Sequence, residues 1–461
     1  MTKLIEIRNN ISQLPFLSNQ DQMAEYEETF RRSELGKIYA AIPWSEIVQT
    51  ISKLSRRRKK GPASMFDIRG KVALMFLKNY CNCSDQDLIN RLNSDWKLQM
   101  FCGVLLRPKE SITNFKVVST IRCELAKILE AEGYQKIQEI FAKSWKPYMI
   151  HPHIAHMDAT AYESNLRYPT DVKLLWECCE WMHKKLVWWY GTLGIPQPRM
   201  KFKEQKTKYL AYQKSRKKTY KMARKRKRSL LYLLNKLLHL HEAVLTNQGI
   251  AIHDLDPSYK KRYLAVHEVY LQQEHLFEGD DKFKNRIVSI HKSYVHPIVR
   301  GKENKPVEFG AKVHMVQIDG LNFIEHFSYE AFNECTRLTS AIFLVRKYTG
   351  KCTHVGADAI YATNKNRSYC SKENIHTSFV RKGKAGTSED QRSQMQKLLA
   401  KDRSTRMEGS FGTEKNHYGL RRIMARTAQT EKLCVFFGVH IANLCRVIDK
   451  IPKNISLQQA A

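Results

Sequence analysis

The stretch Ile154-Ala-His-Met-Asp158-Ala-Thr-Ala-Tyr162 is short and mostly apolar, and it reaches a carboxylate before it turns polar. An apolar run of this length after Pro152 predicts a buried strand, although length alone does not distinguish it from a piece of core helix. A second stretch, His354-Val-Gly-Ala-Asp358-Ala-Ile-Tyr361, has the same layout. Chemistry collects at the carboxyl ends of strands in sheets flanked by helices, so Asp158 and Asp358 on neighbouring strands could share one metal site. For either aspartate alone, turn formation or helix capping is the simpler interpretation.

A third acid, Glu408, stands in the distinctive segment Arg403-Ser-Thr-Arg406-Met-Glu408-Gly-Ser-Phe-Gly-Thr-Glu-Lys415. Lys415 and then Arg422 follow it at seven-residue steps, so on one helix the three side chains share roughly one face. Glycines within and after this stretch weaken the helix but allow a close approach to a sheet or a phosphate. They are Gly409, Gly412 and Gly419.

Together these segments resemble the DDE transposases of bacterial insertion sequences, whose catalytic domain has a ribonuclease H-like fold. The similar blocks are Asp158-Ala-Thr160 with Arg167-Tyr-Pro-Thr-Asp171, Lys305-Pro-Val-Glu-Phe-Gly-Ala-Lys312, Ala357-Asp-Ala-Ile-Tyr361, and Glu408-Gly-Ser-Phe-Gly-Thr-Glu-Lys415 with Tyr418-Gly-Leu-Arg-Arg422. They span most of the chain after residue 150. The sequence departs from the family at Ile360, where a small residue is usual. Arg403 lies one residue off the usual arginine-to-glutamate spacing, which makes Arg406 the candidate for its role.

The resemblance implies an α/β fold class: a ribonuclease H-like catalytic domain with a large helical insertion, preceded by an all-α N-terminal domain. The expected domains are an N-terminal segment and basic linker at 1–62, a helical DNA-end-binding or dimerisation domain at 63–148, and the catalytic domain at 149–461. The helical basic insertion is expected at about 170–280.

The resemblance also implies a chemistry. Asp158, Asp358 and Glu408 would hold Mg²⁺, with Mn²⁺ as a possible substitute, and Lys415 would steady a phosphate. Two such ions serve an in-line phosphoryl transfer, and carboxylate oxygens suit Mg²⁺. Water would cleave the ends of the element, and the freed 3′-hydroxyl groups would attack target DNA. Glu414 is a rival for the third acid, but only Glu408 has the lysine seven residues on.

The implied partners are double-stranded DNA, as the terminal inverted repeats of the element and as target, and a second copy of the chain, because two ends must be joined. Two other classes stay open. A ribonuclease H-like nuclease without strand transfer would keep the three acids. A catalytically silent, transposase-derived DNA-binding protein would bind DNA without needing them.

Composition supports a nucleic-acid partner independently. Lys and Arg number 78 against 45 Asp and Glu, a net charge of +33 that attracts polyanions. Ribosomal or membrane-surface binding would also fit this charge. A hydrophobic content of 43% excludes wholesale disorder. The chain start lacks the pattern of a signal peptide and no run is apolar enough to span a membrane, so we expect a cytoplasmic, nucleoid-associated protein.

The densest positive charge lies at 201–228, which holds fourteen Lys or Arg and one acid, Glu204. This segment is the best candidate for a contact with the DNA backbone, with a solvated face as the alternative. The run at 56–60 is equally well explained as a solvated linker. The candidate DNA-binding residues are Arg56, Arg57, Arg58, Lys217, Lys218, Arg224, Arg226, Arg228, Arg406, Arg421 and Arg422.

Helical patterns fill much of the remaining chain. Residues 66–132 predict three or four helices, with Ser84 and Thr113 as N-caps, which form either a groove-reading or a packing domain. Leucines spaced three and four residues apart from Leu230 to Leu240 predict a helix with one apolar stripe. This stripe packs either on the aromatic helix 174–190 of the same chain, which we favour, or on a second protomer. The aromatic residues of 174–190 are expected in the core rather than as base-stacking platforms.

Strands are predicted at 287–290, 307–318 and 322–327, with Asp319-Gly320 as a hairpin turn. The eleven cysteines include no CxxC pair, so free buried thiols are favoured over zinc. The histidines at 151, 153 and 156 lack a second ligand pair at a zinc-like spacing.

Overall fold

The computed structural model describes residues 4–6, 20–55, 64–107, 109–279, 283, 285–299, 306–384 and 389–451. These residues form two compact units. Unit 1 takes its residues from the ranges 1–163, 312–328 and 332–461, and unit 2 from 164–311 and 329–331. No helix among the described residues combines the length and the hydropathy needed to cross a bilayer.

Unit 1 begins with a helical stretch. Its helices are α1 (Gln20–Arg32), α2 (Glu34–Ala40), α3 (Trp44–Leu54), α4 (Ile68–Tyr80), α5 (Asp85–Ser94), α6 (Trp96–Phe101), α7 (Lys116–Ile128) and α8 (Gly133–Trp145). The predicted Ser84 cap is confirmed, because its hydroxyl oxygen accepts from the Asp87 N–H at 3.0 Å. The Thr113 cap is wrong, since Asn114 accepts from the Lys116 N–H instead, at 3.1 Å. A short antiparallel pair, β1 (Leu4–Glu6) with β2 (Val104–Leu106), makes this stretch mostly rather than entirely helical.

A mixed sheet follows in unit 1. Its strands are β3 (Ile154–Ser164), the later part of β5 (Val307–Ile318), β6 (Leu321–Ser328), β7 (His354–Ala357), β8 (His376–Thr377) and β9 (Arg422–Ile423). The order is β6-β5-β3-β7-β8, with β9 also paired to β3, and β3, β7 and β8 run parallel. The predicted hairpin is confirmed: β5 and β6 are antiparallel, and Asp319 and Gly320 both have positive φ, at 47° and 86°.

Five helices accompany this sheet. They are α13 (Leu338–Thr349), α14 (Asn364–Lys372), α15 (Glu389–Asp402), α16 (Glu408–His417) and α17 (Ala428–Lys450). The apolar side chains of α17 are buried in one core with those of the N-terminal helices, and the rings of Phe76 and Phe437 meet at 4.8 Å. Helix α13 begins at Leu338, directly after a 3₁₀ turn at Glu334–Arg337.

Two buried amides satisfy the backbone of β6. Gln138 of α8 bonds both the N–H and the C=O of Ile324, at 2.8 and 3.0 Å. Asn443 of α17 does the same for Asn322, at 2.8 and 2.7 Å. The N-terminal helices therefore share hydrogen bonds and a hydrophobic core with the sheet. Whether the chain divides into separately folding domains at residues 62 and 148 stays a prediction.

Unit 2 is a helical unit with helices α9 (Asp171–Leu193), α10 (Phe202–Lys214), α11 (Tyr220–Asn247) and α12 (Pro257–Glu278), and β4 (Pro297–Val299) pairs there with the start of β5. The leucine stripe of α11 packs within the chain against α9, as favoured. Asp171 ties the unit together, since it accepts from Lys227 and Arg286 at 2.9 and 3.1 Å.

The basic segment 201–228 forms two helices, because α10 ends at Lys214 and α11 begins after its cap, Thr219. Two expectations about unit 2 change. The strand at 287–290 is absent from the described residues, since the Gln272 side chain takes both backbone bonds of Ile287, at 2.7 and 3.1 Å. Most aromatic residues of α9 are buried as predicted, but Trp188 is 54% exposed.

Gly356 permits the close approach of β3, β7 and α15. A Cβ at this position would lie 2.3 Å from Nδ1 of His156, its neighbour on β3, and 2.9 Å from the Leu399 carbonyl oxygen. We expect Gly356→Ala to lower the free energy of unfolding by about 1–3 kcal/mol, as overpacking does, in a chemical denaturation experiment. Gly191→Ala is the control, because its Cβ would meet nothing within 4 Å. Equal unfolding midpoints for Gly356→Ala and wild type would contradict this packing.

Candidate active site

The two aspartates follow residues that pair across the parallel β3–β7 ladder. Met157 and Ala357 are partners in register, so Asp158 and Asp358 come next on neighbouring strands. Asp358 also caps the 3₁₀ turn that follows, where its carboxylate accepts from the Ala359 N–H at 2.6 Å. Ile360 points outward and is 51% exposed, so the turn accommodates a large residue where the resembling family has a small one.

The surroundings of Asp158 are acidic and partly closed to solvent. Its side chain is 19% exposed, whereas Asp358 is exposed. Burial raises the pKa of Asp158, the Arg403 guanidinium lowers it, and the carboxylates of Glu334 and Asp358 raise it again. A buried carboxylate among others of the same sign needs a cation close by.

More acidic groups surround Tyr361, two positions after Ala359. Burial raises the pKa of the Tyr361 hydroxyl, and the carboxylates of Glu334, Asp158, Glu325 and Asp358 raise it further. The hydroxyl lies 2.8 Å from Nε2 of His314 on β5. Two of these acids are paired with bases, Glu325 with Arg337 and Glu334 with Lys312, so Asp158 and Asp358 are the carboxylates left for a hard cation.

Arg403 supplies the positive charge that Asp158 meets. Its Nη1 donates to Oδ2 of Asp158 at 2.8 Å. Arg406 is instead exposed and lies 3.6 Å from Asp402, so the expectation that it replaces Arg403 is wrong. The reason is a π-helical turn at Arg403–Met407 between α15 and α16, which holds one residue more per hydrogen-bonded ring than an α-helix. The one-residue offset in the sequence was the signal of this turn.

Glu408 begins α16 immediately after the π-turn and is exposed. Side chains on both sides of it reach β3. Arg403, five residues before, contacts Asp158, and Lys415, seven residues after, donates to the Thr160 hydroxyl at 2.9 Å. Glu408 therefore lies on a helical stretch that is fixed over β3 at two points.

Glu414 has a different environment from Glu408. Its carboxylate is completely buried and accepts hydrogen bonds from the Tyr162 hydroxyl and from Nδ2 of Asn322, the latter at 2.5 Å. Burial raises its pKa. These bonds use Glu414 inside the core, so the geometry favours Glu408 as the third acid.

Among the described side chains, no three His, Cys, Asp or Glu residues are close enough to form a ready metal-binding group. The structure thus brings Asp158 and Asp358 to adjacent strand positions and Glu408 onto the overlying helix, without closing them around one point. The donor chemistry still fits Mg²⁺, because these ligands are carboxylates. All eleven cysteines are free thiols, but only five of them are buried and Cys123 is exposed, so the expectation of buried thiols holds in part.

The candidate DNA-binding residues fall into three groups. Arg226 is only 7% exposed, so burial argues against a contact with DNA. Arg56, Arg57 and Arg58 lie outside the described residues. The exposed ones are Lys217, Lys218, Arg224, Arg228, Arg406, Arg421 and Arg422.

The sequence predicts that Glu408, Lys415 and Arg422 share one face of a single helix. This is wrong for Arg422. Helix α16 ends at His417, Gly419 has a φ of +73°, and Arg422 begins β9. Gly419 lies close to a neighbour, since its Cβ would be 3.0 Å from the Asn82 side chain, but Gly409 and Gly412 meet nothing within 4 Å.

The Asp158–Arg403 pair gives a test of this geometry. In EDTA at neutral pH, Arg403→Gln should lower the free energy of unfolding by about 1–3 kcal/mol, because it leaves a buried carboxylate without its partner. Burial already holds the folded-state pKa of Asp158 above 3.8, and the loss of Arg403 raises it further. The deficit should therefore shrink as the pH falls through this pKa, since protonated Asp158 needs no cation.

Arg406→Gln is the matched control for that experiment, because it removes the same charge from a half-exposed pair worth about 0–1 kcal/mol. Equal denaturation midpoints for the two variants would show that the Asp158–Arg403 ion pair stabilises the fold no more than the exposed Arg406–Asp402 pair does.

Two family models match parts of the chain. The model described as Transposase DDE domain matches residues 355–444, a range that contains Asp358, Arg403, Glu408 and Lys415. The model described as Transposase domain (DUF772) matches residues 23–123, within the N-terminal helices. No curated protein and no solved structure matches the chain.

The DDE match implies a ribonuclease H-like fold, in agreement with a sheet whose first long strand, β3, lies at its centre. Asp158 lies outside both matched ranges and is placed beside Asp358 by strand pairing alone. The two matches confirm the resemblance seen in the sequence and are consistent with a DDE transposase of the insertion-sequence type.

Proposed function

We propose that this transposase cleaves DNA at the ends of an insertion sequence and joins the freed 3′-hydroxyl ends to target DNA. The observation that carries the proposal is the register of the β3–β7 ladder, which sets Asp158 beside Asp358. Arg403 and Lys415 then contact β3 on either side of Glu408 along the overlying helix. Three acids on this scaffold match the ligand set expected for phosphoryl transfer.

Asp158, Asp358 and Glu408 would hold divalent ions, most simply Mg²⁺. Ions bound there would activate the attacking oxygen and stabilise the leaving one. In the first step, an oxygen of water forms a bond to phosphorus and the bond from phosphorus to the 3′ oxygen breaks, which leaves a 3′-hydroxyl. In the second step that hydroxyl attacks a phosphate of target DNA, loses its proton and displaces another 3′ oxygen.

The other side chains of the site position charge. Arg403 neutralises Asp158 in the structure and stands within reach of a phosphate that approaches the same carboxylate. Lys415 is held by the Thr160 hydroxyl and lies 5.8 Å from the centroid of the Tyr162 ring, so its ammonium group is oriented before DNA binds. Lys415 would steady the phosphate next to the reacting one.

Double-stranded DNA is the proposed partner, as terminal repeats and as target, and a homodimer would join the two ends. The exposed cations of α11 and of the 215–219 link would contact the phosphate backbone. Arg224 is positioned for this, since it donates to the Tyr220 hydroxyl at 3.1 Å and lies 4.6 Å from the Phe277 ring.

The first test compares DNA cleavage and strand transfer by wild type and acid variants, on DNA that carries the element's own ends, with Mg²⁺. Asp158→Ala, Asp358→Ala and Glu408→Gln should each lose both activities by about a hundred-fold or more, because ion binding supplies several kcal/mol to the transition state. Binding of the ends should persist in each variant.

Glu414→Gln is the control and should remain active, because this side chain lies in the core: Asn322 can still donate to the glutamine oxygen, and the Tyr162 hydroxyl can accept from its amide nitrogen. Full activity of any of the first three variants would remove that residue from the site. Cleavage without strand transfer would favour a plain nuclease, and end binding by an inactive wild type would favour a silent DNA-binding protein.

A second test concerns the basic helix. The double variant Arg224→Ala, Arg228→Ala should bind duplex DNA with a shallower salt dependence, and the slope of log K against log salt should fall by about 0.9 per lost phosphate contact. Arg224→Lys, Arg228→Lys keeps both charges and should retain the wild-type slope. Equal slopes for the alanine and lysine pairs would place the duplex elsewhere.

A further inference from the structure

Unit 2 carries a groove formed by two adjoining cavities of about 560 and 310 Å³. Both cavities are lined by Trp181 of α9 and Arg262 of α12, so these two residues form the ridge between them. Each volume lies within or near the range of roughly 300–1,000 Å³ that small-ligand pockets occupy. The groove, defined here as these two cavities, is lined by residues of unit 2 and by none of the acids described above.

Aromatic rings form one wall of the smaller cavity. Trp188 contributes an indole that is 54% exposed, and Tyr259 lies across from it. The ammonium group of Lys185 is 4.4 Å from the centroid of Tyr259 and 5.9 Å from those of Trp181 and Trp188. A cation held among rings, beside a half-exposed indole, combines the two features that bind a nucleotide: an aromatic ring for stacking and a positive charge.

The larger cavity adds an excess of positive charge. Its two acids are Glu177 and Glu180, and Glu180 is 3.5 Å from the ammonium group of Lys184. Its basic side chains, apart from histidine, are Arg167, Lys173, Lys184, Arg262 and Lys292. Basic groups therefore outnumber acids, which favours an anionic ligand.

The acid of the smaller cavity is already engaged in the fold. Asp256 caps α12, where one carboxylate oxygen accepts from the N–H groups of Ser258 and Tyr259 at 2.9 and 3.1 Å and from the Ser258 hydroxyl at 2.5 Å. The cavity lining therefore holds two cations, Lys185 and Arg262, against this one carboxylate.

We propose that the groove binds a short unpaired stretch of DNA, with a base stacked on Trp188 and the adjacent phosphates at Lys185 and Arg262. A duplex presents phosphates to a protein but keeps its bases stacked inside, so it cannot place a base face against an indole within a concave cavity. An unpaired nucleotide can. This inference rests on the proposed function, because the strand it binds is substrate DNA.

The test measures fluorescence anisotropy of the full-length protein with a 5′-labelled single strand of about twelve nucleotides, and separately with the same sequence as a duplex. Trp188→Ala should weaken single-strand binding by roughly ten-fold, as the loss of one stacked base does, and leave duplex binding unchanged. Phe343→Ala is the control, because this ring on α13 is 69% exposed and lies in the other unit. It should change neither affinity.

A second readout locates the strand directly. A single strand carrying 5-iododeoxyuridine should photo-crosslink to the peptide that contains Trp188 in wild type, and Arg262→Gln should lower the yield several-fold. Equal single-strand affinities for Trp188→Ala and wild type, equal losses for single strand and duplex, or crosslinks only elsewhere would each overturn the proposal.

The outcomes also separate this inference from the proposed function. If the acid variants keep cleavage and strand transfer but Trp188→Ala loses single-strand binding, the groove stands and the acid site fails. If the acid variants behave as expected and Trp188→Ala binds like wild type, the acid site stands and the groove fails.

Discussion

The ion pair between Asp158 and Arg403 is the contact on which the arrangement of the site depends. Asp158 lies mostly buried in β3, and its acidic neighbours raise its pKa rather than compensate its charge. An ionised carboxylate in such a place is costly unless a cation joins it. Arg403 is that cation, and because it stands at the junction of α15 and α16, pairing with Asp158 fixes this helical stretch over β3.

The π-turn is the geometric consequence of this contact. Each residue of an α-helix turns by about 100°, so a one-residue offset would rotate Arg403 away from β3 if the helix were regular. The turn at Arg403–Met407 absorbs the extra residue and restores the direction of the side chain. Such turns are rare inside α-helices and occur frequently at functional sites. The site thus keeps its ion pair at the expense of local helix regularity.

The elements that the sequence predicts correctly are those determined by residues close together in the chain. The apolar runs of β3 and β5, the Asp319-Gly320 turn and the leucine stripe of α11 all encode their structure within about twenty residues, and all form as expected. The predictions that fail involve residues whose hydrogen-bond partners lie far away in the sequence. The segment at 287–290 has strand-like residues, but Gln272 takes its backbone bonds. Arg422 continues a helical repeat, yet Gly419 ends the helix and β3 offers a strand partner.

The candidate site shows the same division. The three acids and Lys415 are proposed from the resemblance and from the seven-residue step between Glu408 and Lys415, and they stay predictions. The role of Arg403 could not be predicted from the sequence, since a spacing that is off by one has meaning only once the π-turn is seen. The exposure of Trp188 was equally invisible, because a run of aromatic residues on one helix gives no sign of which ring faces solvent.

Helix geometry also separates the two glutamates of α16. Lys415 is seven residues beyond Glu408, a rotation of about 700° that returns it to nearly the same face. Glu414 is six residues beyond, about 240° around the helix from Glu408. Since Glu414 points into the core, where Tyr162 and Asn322 hold it, Glu408 must face elsewhere, on the side that it shares with Lys415. A buried acid that anchors the helix and an exposed one that can meet a metal are thus two parts of one arrangement, and they cannot exchange roles without turning the helix.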